Sequence, residues 1–291
     1  MNTKDLNTTI GQALNQARQQ LKEKGTGSPA LDAEVLLSSV TGLDRAGLYR
    51  EWERRLPGEE EARFFELVRR RGLSEPVAYL TGHKEFMGLD FTVGPSVLVP
   101  RPETELLVET ALEVLPPSAK IIDVGTGSGA IAVSLASFLE GAVVYATDRS
   151  PEALDVARLN AARLGVGERC FFYHGNLLEP LSGLGLRGRV DLIAANLPYI
   201  GREEYPGLPE EVRLYEPPPA LDGGAGGLDL YRRLIPAAPE FLKKGGLLLM
   251  EIGCRQGQAL SALLSVPVWK VTVRKDLAGL DRLVVARYAQ S

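Results

Sequence analysis

The chain has 291 residues, 45% of them hydrophobic and 24% charged, with 33 basic against 37 acidic side chains and a net charge of -4. That length calls for one large domain and a smaller one, and the composition is ordinary for a globular protein. It excludes the strongly basic balance of a nucleic-acid-binding surface, contains no apolar run of about 20 residues for a membrane span, and opens at Met1 to Asp5 without the pattern of a secretion signal, so a cytoplasmic protein is expected.

Residues 1 to 75 carry a helical pattern. Ile10, Leu14, Ala17 and Leu21 recur at helical spacing; Gly25 to Pro29 interrupt it; Leu31, Val35, Leu36 and Val40 resume it, with Ser28 as cap, Pro29 in the first turn and Gly42 as stop. A short helix over Leu43 to Trp52 and another over Glu59 to Arg71 complete a small bundle, whose Arg69, Arg70 and Arg71 read as a solvated helix end that complements the dipole. From 76 to 100, Phe86, Leu89, Phe91 and Val93, then Gly94 and Pro95, then Val97 to Val99, predict a β-hairpin turning at Gly94 and Pro95.

A helix begins at Pro102, and from Lys120 strands and helices alternate. Strands are expected over Ile121–Val124, Val143–Thr147, Cys170–Tyr173, Val190–Ala195 and Leu247–Ile252, which argues a mainly parallel sheet covered on both faces. The last two strands, Trp269–Arg274 and Leu283–Tyr288, are joined by a connection too short for a crossover helix and should pair antiparallel. Cys170 and Cys254 both read as buried free thiols, and with His83 and His174 the only histidines, no metal site is expected.

Between the first of these strands and its helix lies Asp123, Val124, Gly125, Thr126, Gly127, Ser128, Gly129. Glycines there let a ligand approach the backbone at a helix amino terminus, while the G-x-G-x-G spacing differs from the G-x-G-x-x-G of pyrophosphate-binding dinucleotide enzymes. Asp148 ends the next strand, where a carboxylate can accept both ribose hydroxyls, although it could instead help cap the helix at Pro151. Together the two signals fit S-adenosylmethionine bound at Gly125, Thr126, Gly127, Ser128, Gly129 and Asp148. Asn176 is placed to meet the adenine edge, and Leu177 to pack on its ring.

The apolar run Val190 to Ala195 ends in Asn196, Leu197, Pro198 and Tyr199, and carboxyl ends of strands are where open α/β sheets bind ligands. A carboxamide or exocyclic amine nitrogen is a poor nucleophile. If the Asn196 side-chain oxygen and the backbone carbonyl of Leu197 hold its two hydrogens, its lone pair can be aimed at a sulfonium methyl, and displacement then needs positioning more than a base. Pro198 would stiffen the turn and Tyr199 offer a packing face, which makes Asn196, Leu197, Pro198 and Tyr199 the expected catalytic group, with Asn196 also near the cofactor. The following 201–227 segment, rich in proline and glycine, reads as a lid or substrate-binding loop.

These residues, with the runs Glu75 to Gly82, Val99 to Glu105 and Pro217 to Leu228, resemble the peptide chain release factor N5-glutamine methyltransferases, the HemK family. The resemblance implies an α/β, Rossmann-like S-adenosylmethionine-dependent methyltransferase sheet with an N-terminal helical bundle domain. The expected division is a substrate-docking bundle over 1–75, a hairpin linker over 76–100 and a catalytic domain over 101–291. It further implies methyl transfer to the glutamine of the Gly-Gly-Gln loop in class I release factors, with S-adenosylhomocysteine as product, by a protein for which nothing demands more than a monomer. Arg101, Glu103 and Glu105 are either ordinary helix-start chemistry or, by the resemblance, groups near the methionine end of the cofactor. Two positions depart from the family: Leu197 stands where its first proline is usual, and Asn176 where an acid is common. Asn-Leu-Pro-Tyr also resembles the motif of ribosomal RNA adenine methyltransferases, an alternative ranked lower because those enzymes carry a helical domain after the catalytic one. A third reading is a non-catalytic cofactor-binding partner of a translation factor.

Overall fold

The amino-terminal helices begin and end at residues suited to capping. In a computed structural model describing residues 8–289, helix α1 (Ile10–Glu23) opens on a capping box in which Thr9 and Gln12 exchange side-chain and backbone hydrogen bonds at 3.2 and 3.0 Å. Helix α2 (Pro29–Thr41) starts on proline and stops at Gly42, whose φ of 70° is left-handed. After the short α3 (Arg45–Arg50), α4 (Gly58–Arg71) carries Glu59, Glu60 and Glu61 in its first turn and three arginines in its last, both complementing the dipole, and α5 (Val77–Thr81) follows. Ile10, Leu14, Leu36, Leu37 and Phe64 are fully buried between these helices, each contributing about 1.5–3 kcal/mol by leaving water.

The chain divides into two units, one running to Gly82 and taking in Pro209–Tyr215, the other comprising His83–Leu208 and the chain from Glu216 onward. The boundary thus falls at Gly82, past the expected residue 75, and the hairpin belongs with the second unit rather than forming a linker of its own. Nor is Arg71 solvated as expected: buried in the first unit, it donates to Asp32 at 2.7 Å and to Glu211 at 2.8 Å. Glu211 lies on α9 (Glu210–Tyr215), a helix inside the segment expected to be one long loop. The Tyr215 hydroxyl donates to the Leu73 carbonyl at 2.8 Å, which ties the other end of α9 to the same unit.

In the second unit strands β1 (His83–Phe86) and β2 (Leu89–Thr92) form the hairpin, but its turn is Met87-Gly88 and not Gly94-Pro95. Both turn residues have positive φ, 53° and 70°, which suits the right-handed twist of a two-residue hairpin, while 97–99 is irregular. Helix α6 (Pro102–Leu112) leads into the alternating region: β3 (Lys120–Val124), α7 (Ala130–Phe138), β4 (Val143–Asp148), α8 (Pro151–Arg163), β5 (Cys170–His174) and β6 (Val190–Ala195). There follow α10 (Asp229–Phe241), β7 (Leu242–Glu251), α11 (Gly257–Leu263), β8 (Trp269–Lys275) and β9 (Asp281–Tyr288). The seven strands from β3 to β9 lie in the order β5-β4-β3-β6-β7-β9-β8. All pairings are parallel except those of β9, which runs against both β7 and β8, as the short β8–β9 connection requires.

The chain moves outward from β3 to β4 and β5, then returns to place β6 on the other side of β3, with Val124 opposite Ala195. This is the switch point of an open sheet, and it brings the two stretches singled out in the sequence to one crevice. Cys170 is buried, and burial pushes its thiol up to about 12; Cys254 is exposed, contrary to the expectation of a second buried thiol. Among the described residues no helix is long and apolar enough to cross a membrane.

Candidate active site

The loop after β3 owes its shape to glycine. Gly125 and Gly129 take φ of 74° and 81°, which a side chain would strain, and each is crowded besides: a Cβ on Gly125 would stand 3.1 Å from Leu197 Cδ2, and one on Gly129 would stand 3.1 Å from the Ala157 Cβ. Gly129 therefore sets the packing of α7 on α8. Under the loop, Asp123 is fully buried; its Oδ2 takes the Thr126 hydroxyl at 2.7 Å and the Ala132 N–H at 3.2 Å, while Oδ1 has no hydrogen-bond partner. Burial pushes this carboxyl up to about 7.

Asp148 ties the loop to the end of β4. Its Oδ2 accepts the Gly127 N–H and its Oδ1 the Ser150 N–H, both at 2.9 Å. The capping of α8 falls instead to Ser150, whose hydroxyl accepts from Ala153 N–H at 3.0 Å. Each Asp148 oxygen keeps lone-pair capacity for a further donor. Beyond β5, Leu177 adopts a left-handed φ of 50°, and Asn176 gives its amide hydrogens to Glu179 Oε1 at 3.0 Å, leaving a buried Oδ1 with no partner.

A cavity of about 640 Å³ opens within the second unit where these groups converge. Gly125 to Ser128, Asp148, Asn176, Leu177, Asn196, Leu197 and Pro198 all line it; Gly129 and Tyr199 do not. Its size suits a drug-sized ligand, for which pockets of roughly 300–1,000 Å³ are usual. The free acceptors at Asp148 and Asn176 and the bare backbone of the glycine loop fit an adenosyl group with its hydroxyl and amino donors.

At the end of β6 the Asn196 amide donates from Nδ2 to the Thr104 hydroxyl at 3.1 Å. Leu197 is buried, and its carbonyl lies 3.4 Å from the Tyr231 hydroxyl, whose single proton goes to the Glu251 carbonyl at 2.5 Å. Tyr199 is half-buried outside the cavity, its hydroxyl donating to Glu251 Oε1 at 3.2 Å and its carbonyl accepting from Gln256 at 2.8 Å. Burial first, then the Glu251 charge, raises that phenol well beyond its ordinary range, so it stays protonated and a donor. Burial likewise raises the Glu251 carboxyl, against the opposing effects of Thr104, Tyr199 and Arg282.

Arg101 forms an ion pair with the buried Glu216, which directly precedes the cavity-lining Pro217 and the Pro218–Ala220 turn. Glu105 accepts the Met87 N–H at 2.7 Å and so braces the hairpin, and Glu103 is exposed. Thr104 lay in the Val99 to Glu105 run without a role of its own, and Glu251 was not among the residues the sequence singled out. Glu251 did leave a signal, an acid directly after the apolar run Leu247 to Met250.

Comparison with known proteins adds to this geometry. Residues 12–82 match the PrmC N-terminal domain and residues 116–264 a methyltransferase domain. Release factor glutamine methyltransferase of Moorella thermoacetica is 48% identical, over 96% of this chain and 98% of that protein. The protein of the same name in Geobacter sulfurreducens is 44% identical over 96% of each. A methyltransferase of Pyrococcus furiosus shares the fold at a TM-score of 0.52 and 18% identity, covering 81% of this chain and 100% of that one.

Proposed function

Because the chain belongs to the release factor glutamine methyltransferase family, we propose that it transfers a methyl group from S-adenosylmethionine to the side-chain nitrogen of the glutamine in the Gly-Gly-Gln loop of class I release factors. The observation that carries this reading is the orientation of Asn196. Its NH2 is committed to Thr104, so its Oδ1 is the atom left to accept a hydrogen from a substrate amide.

Gly125 to Ser128, Asp148, Asn176 and Leu177 would hold the cofactor, which when bound supplies a methyl group on a positively charged sulfur. Asn196 Oδ1 and the Leu197 carbonyl would take the two hydrogens of the glutamine NH2. Held that way, the nitrogen cannot rotate its lone pair out of line, and most of the gain comes from orientation. No residue needs to remove a proton beforehand, and the proton leaves to water once the nitrogen carries the methyl. Leu197 preserves the carbonyl that a proline would offer, so departure from the family's usual residue leaves this contact available.

We take the enzyme to act as a cytoplasmic monomer without direct nucleic-acid contact; a cavity formed within one chain and a net charge of -4 support this. Incubation with labelled S-adenosylmethionine and a purified release factor, followed by mass-spectrometric mapping, tests it. Label on the loop glutamine is expected. Cofactor binding without label there would overturn the reading, and label on ribosomal RNA would favour the adenine alternative.

A further inference from the structure

The side-chain amide of Gln256 joins three stretches of backbone that lie far apart in the chain. Its Nε2 donates to the Tyr199 carbonyl at 2.8 Å and to the Gly226 carbonyl at 3.2 Å, and its Oε1 accepts the Gly253 N–H at 2.9 Å. Two donors and an acceptor on one uncharged group are what a carboxamide carries. The residue directly precedes α11, and its own N–H closes a turn onto the Gly253 carbonyl at 2.9 Å, so the side chain is mounted on ordered backbone.

The stretch that contains Gly226 is laid directly on the turn after β6. Ile200 N–H donates to the Leu221 carbonyl and Gly223 N–H to the Ile200 carbonyl, both at 3.0 Å, forming a parallel bridge between Ile200 and Asp222. A Cβ on Gly223 would stand 2.5 Å from the Pro198 carbonyl oxygen, and one on Gly227, whose φ is 71°, would run into the Tyr199 carbonyl oxygen that Gln256 holds. Backbones this close need glycine. Residues 221–227, the end of the segment expected to be a lid, are therefore fastened to the acceptor turn.

We propose that Gln256 is a positioning residue for methyl transfer: by pinning the Tyr199 and Gly226 carbonyls together it holds the turn after β6, and with it the Leu197 carbonyl, in the orientation that meets the substrate amide. This rests on the glutamine methyl-transfer reading above, in which that carbonyl takes one hydrogen of the substrate NH2. Pro198 separates Leu197 from Tyr199 and has no N–H, so the turn cannot brace itself through that residue. Before the carbonyl, Asn196 is tied to Thr104 at 3.1 Å; after it, Tyr199 is tied to Gln256 at 2.8 Å. Gln256 does not line the cavity, so it acts on the reaction only through the turn.

The test uses Gln256→Glu, which keeps an oxygen for the Gly253 N–H but sets an acceptor against the two carbonyls, and Gln256→Met, which keeps length and removes all three bonds. In each, kcat should fall on the order of 10- to 100-fold, as for a misplaced reactant. The Kd for S-adenosylhomocysteine should change little, because the glycine loop, Asp148 and Asn176 are untouched. Gly227→Ala adds a carbon against the Tyr199 carbonyl while leaving Gln256 in place, and should show the same split between kcat and cofactor affinity. The Gly227→Ala, Gln256→Met double variant should be no worse than the poorer single one. Wild-type kcat in both folded Gln256 variants, cofactor affinity falling in step with kcat, or multiplicative losses in the double variant would overturn the proposal. A second readout needs no turnover: the Ile200 and Gly223 amide hydrogens should exchange with solvent about tenfold faster or more in the Gln256 variants than in the wild type. If the wild type methylates no release factor, the functional reading fails and hydrogen exchange alone decides the inference, unchanged protection of Ile200 and Gly223 sinking it.

Discussion

Leu197 rests its side chain on the backbone of Gly125, with Cδ2 standing 3.1 Å from where that glycine's Cβ would be. The turn after β6 and the glycine loop after β3 therefore approach each other closely at Leu197, the residue that stands where the family resemblance leads one to expect proline. Leu197 is 3% exposed and packs in the same core cluster as Val124, Tyr231 and Met250.

Leu197→Pro should accordingly destabilise the fold by about 1–3 kcal/mol through lost burial and an incompletely filled space. The carbonyl persists, so methyl transfer at a temperature where the variant is folded should remain within about tenfold of wild type. Urea unfolding and steady-state kinetics check the two halves; unchanged stability would show that the contact with Gly125 contributes nothing.

Asn196→Ala removes the proposed acceptor while leaving the glycine loop, Asp148 and Asn176 in place. Transfer should drop by at least about 100-fold, with cofactor affinity little changed. Calorimetric titration with S-adenosylhomocysteine distinguishes this from a cofactor ligand, since a large loss of affinity would mean that Asn196 acts mainly there.

Asp148 takes two backbone N–H groups, one on each oxygen. Asp148→Asn can accept only one of them and sets an NH2 against the other, a loss of about 1–3 kcal/mol. Because one of the two anchors Gly127, affinity for S-adenosylhomocysteine should weaken at the same time as stability. A variant with full affinity would show that Asp148 serves the fold alone.

Glu216 is buried against Arg101, and its neighbours in sequence form a wall of the cavity. Arg101→Ala should cost about 2–3 kcal/mol, the penalty for taking a charged partner from a buried carboxylate. It should also weaken cofactor binding and hasten proteolytic cleavage within 201–227. Limited proteolysis with and without S-adenosylhomocysteine would show whether that segment depends on the ion pair.

Asp123 gives a pH dependence with a definite sign. Burial raises its carboxyl from 3.8 to about 7, so between those values the folded protein holds a proton that the unfolded chain has released. Stability contributed by this group therefore falls as pH rises from about 4 to 7 and is flat above, at 1.36 kcal/mol per unit at most. Asp123→Asn should flatten that part of the profile, measured by urea midpoints at several pH values; an unchanged slope would assign it to other groups.

Most elements of the second unit were legible from local pattern, because apolar periodicity, capping residues and glycine positions act over a few residues. The Lys120–Val124 strand, the glycine loop and the Asn196 turn are of this kind. The hairpin turn at Met87-Gly88 was not, because methionine rarely adopts positive φ and Gly94-Pro95 offers stronger turn chemistry nearby. Helix α9 was also hidden, being short, flanked by prolines and held by Arg71 and Leu73 from far along the chain.

By itself the sequence determined the α/β class, the helical bundle before it, and two motifs whose chemistry suits a sulfonium cofactor and a planar NH2 group. Only the tertiary structure decided what stands behind those motifs. Asn196 meets Thr104 across 92 residues and Arg101 meets Glu216 across 115, separations at which no periodicity carries information. The reason is topological: strand order, and not position in the chain, sets Glu251 beside Asn196, so that neighbourhood becomes visible only once β6 and β7 are paired.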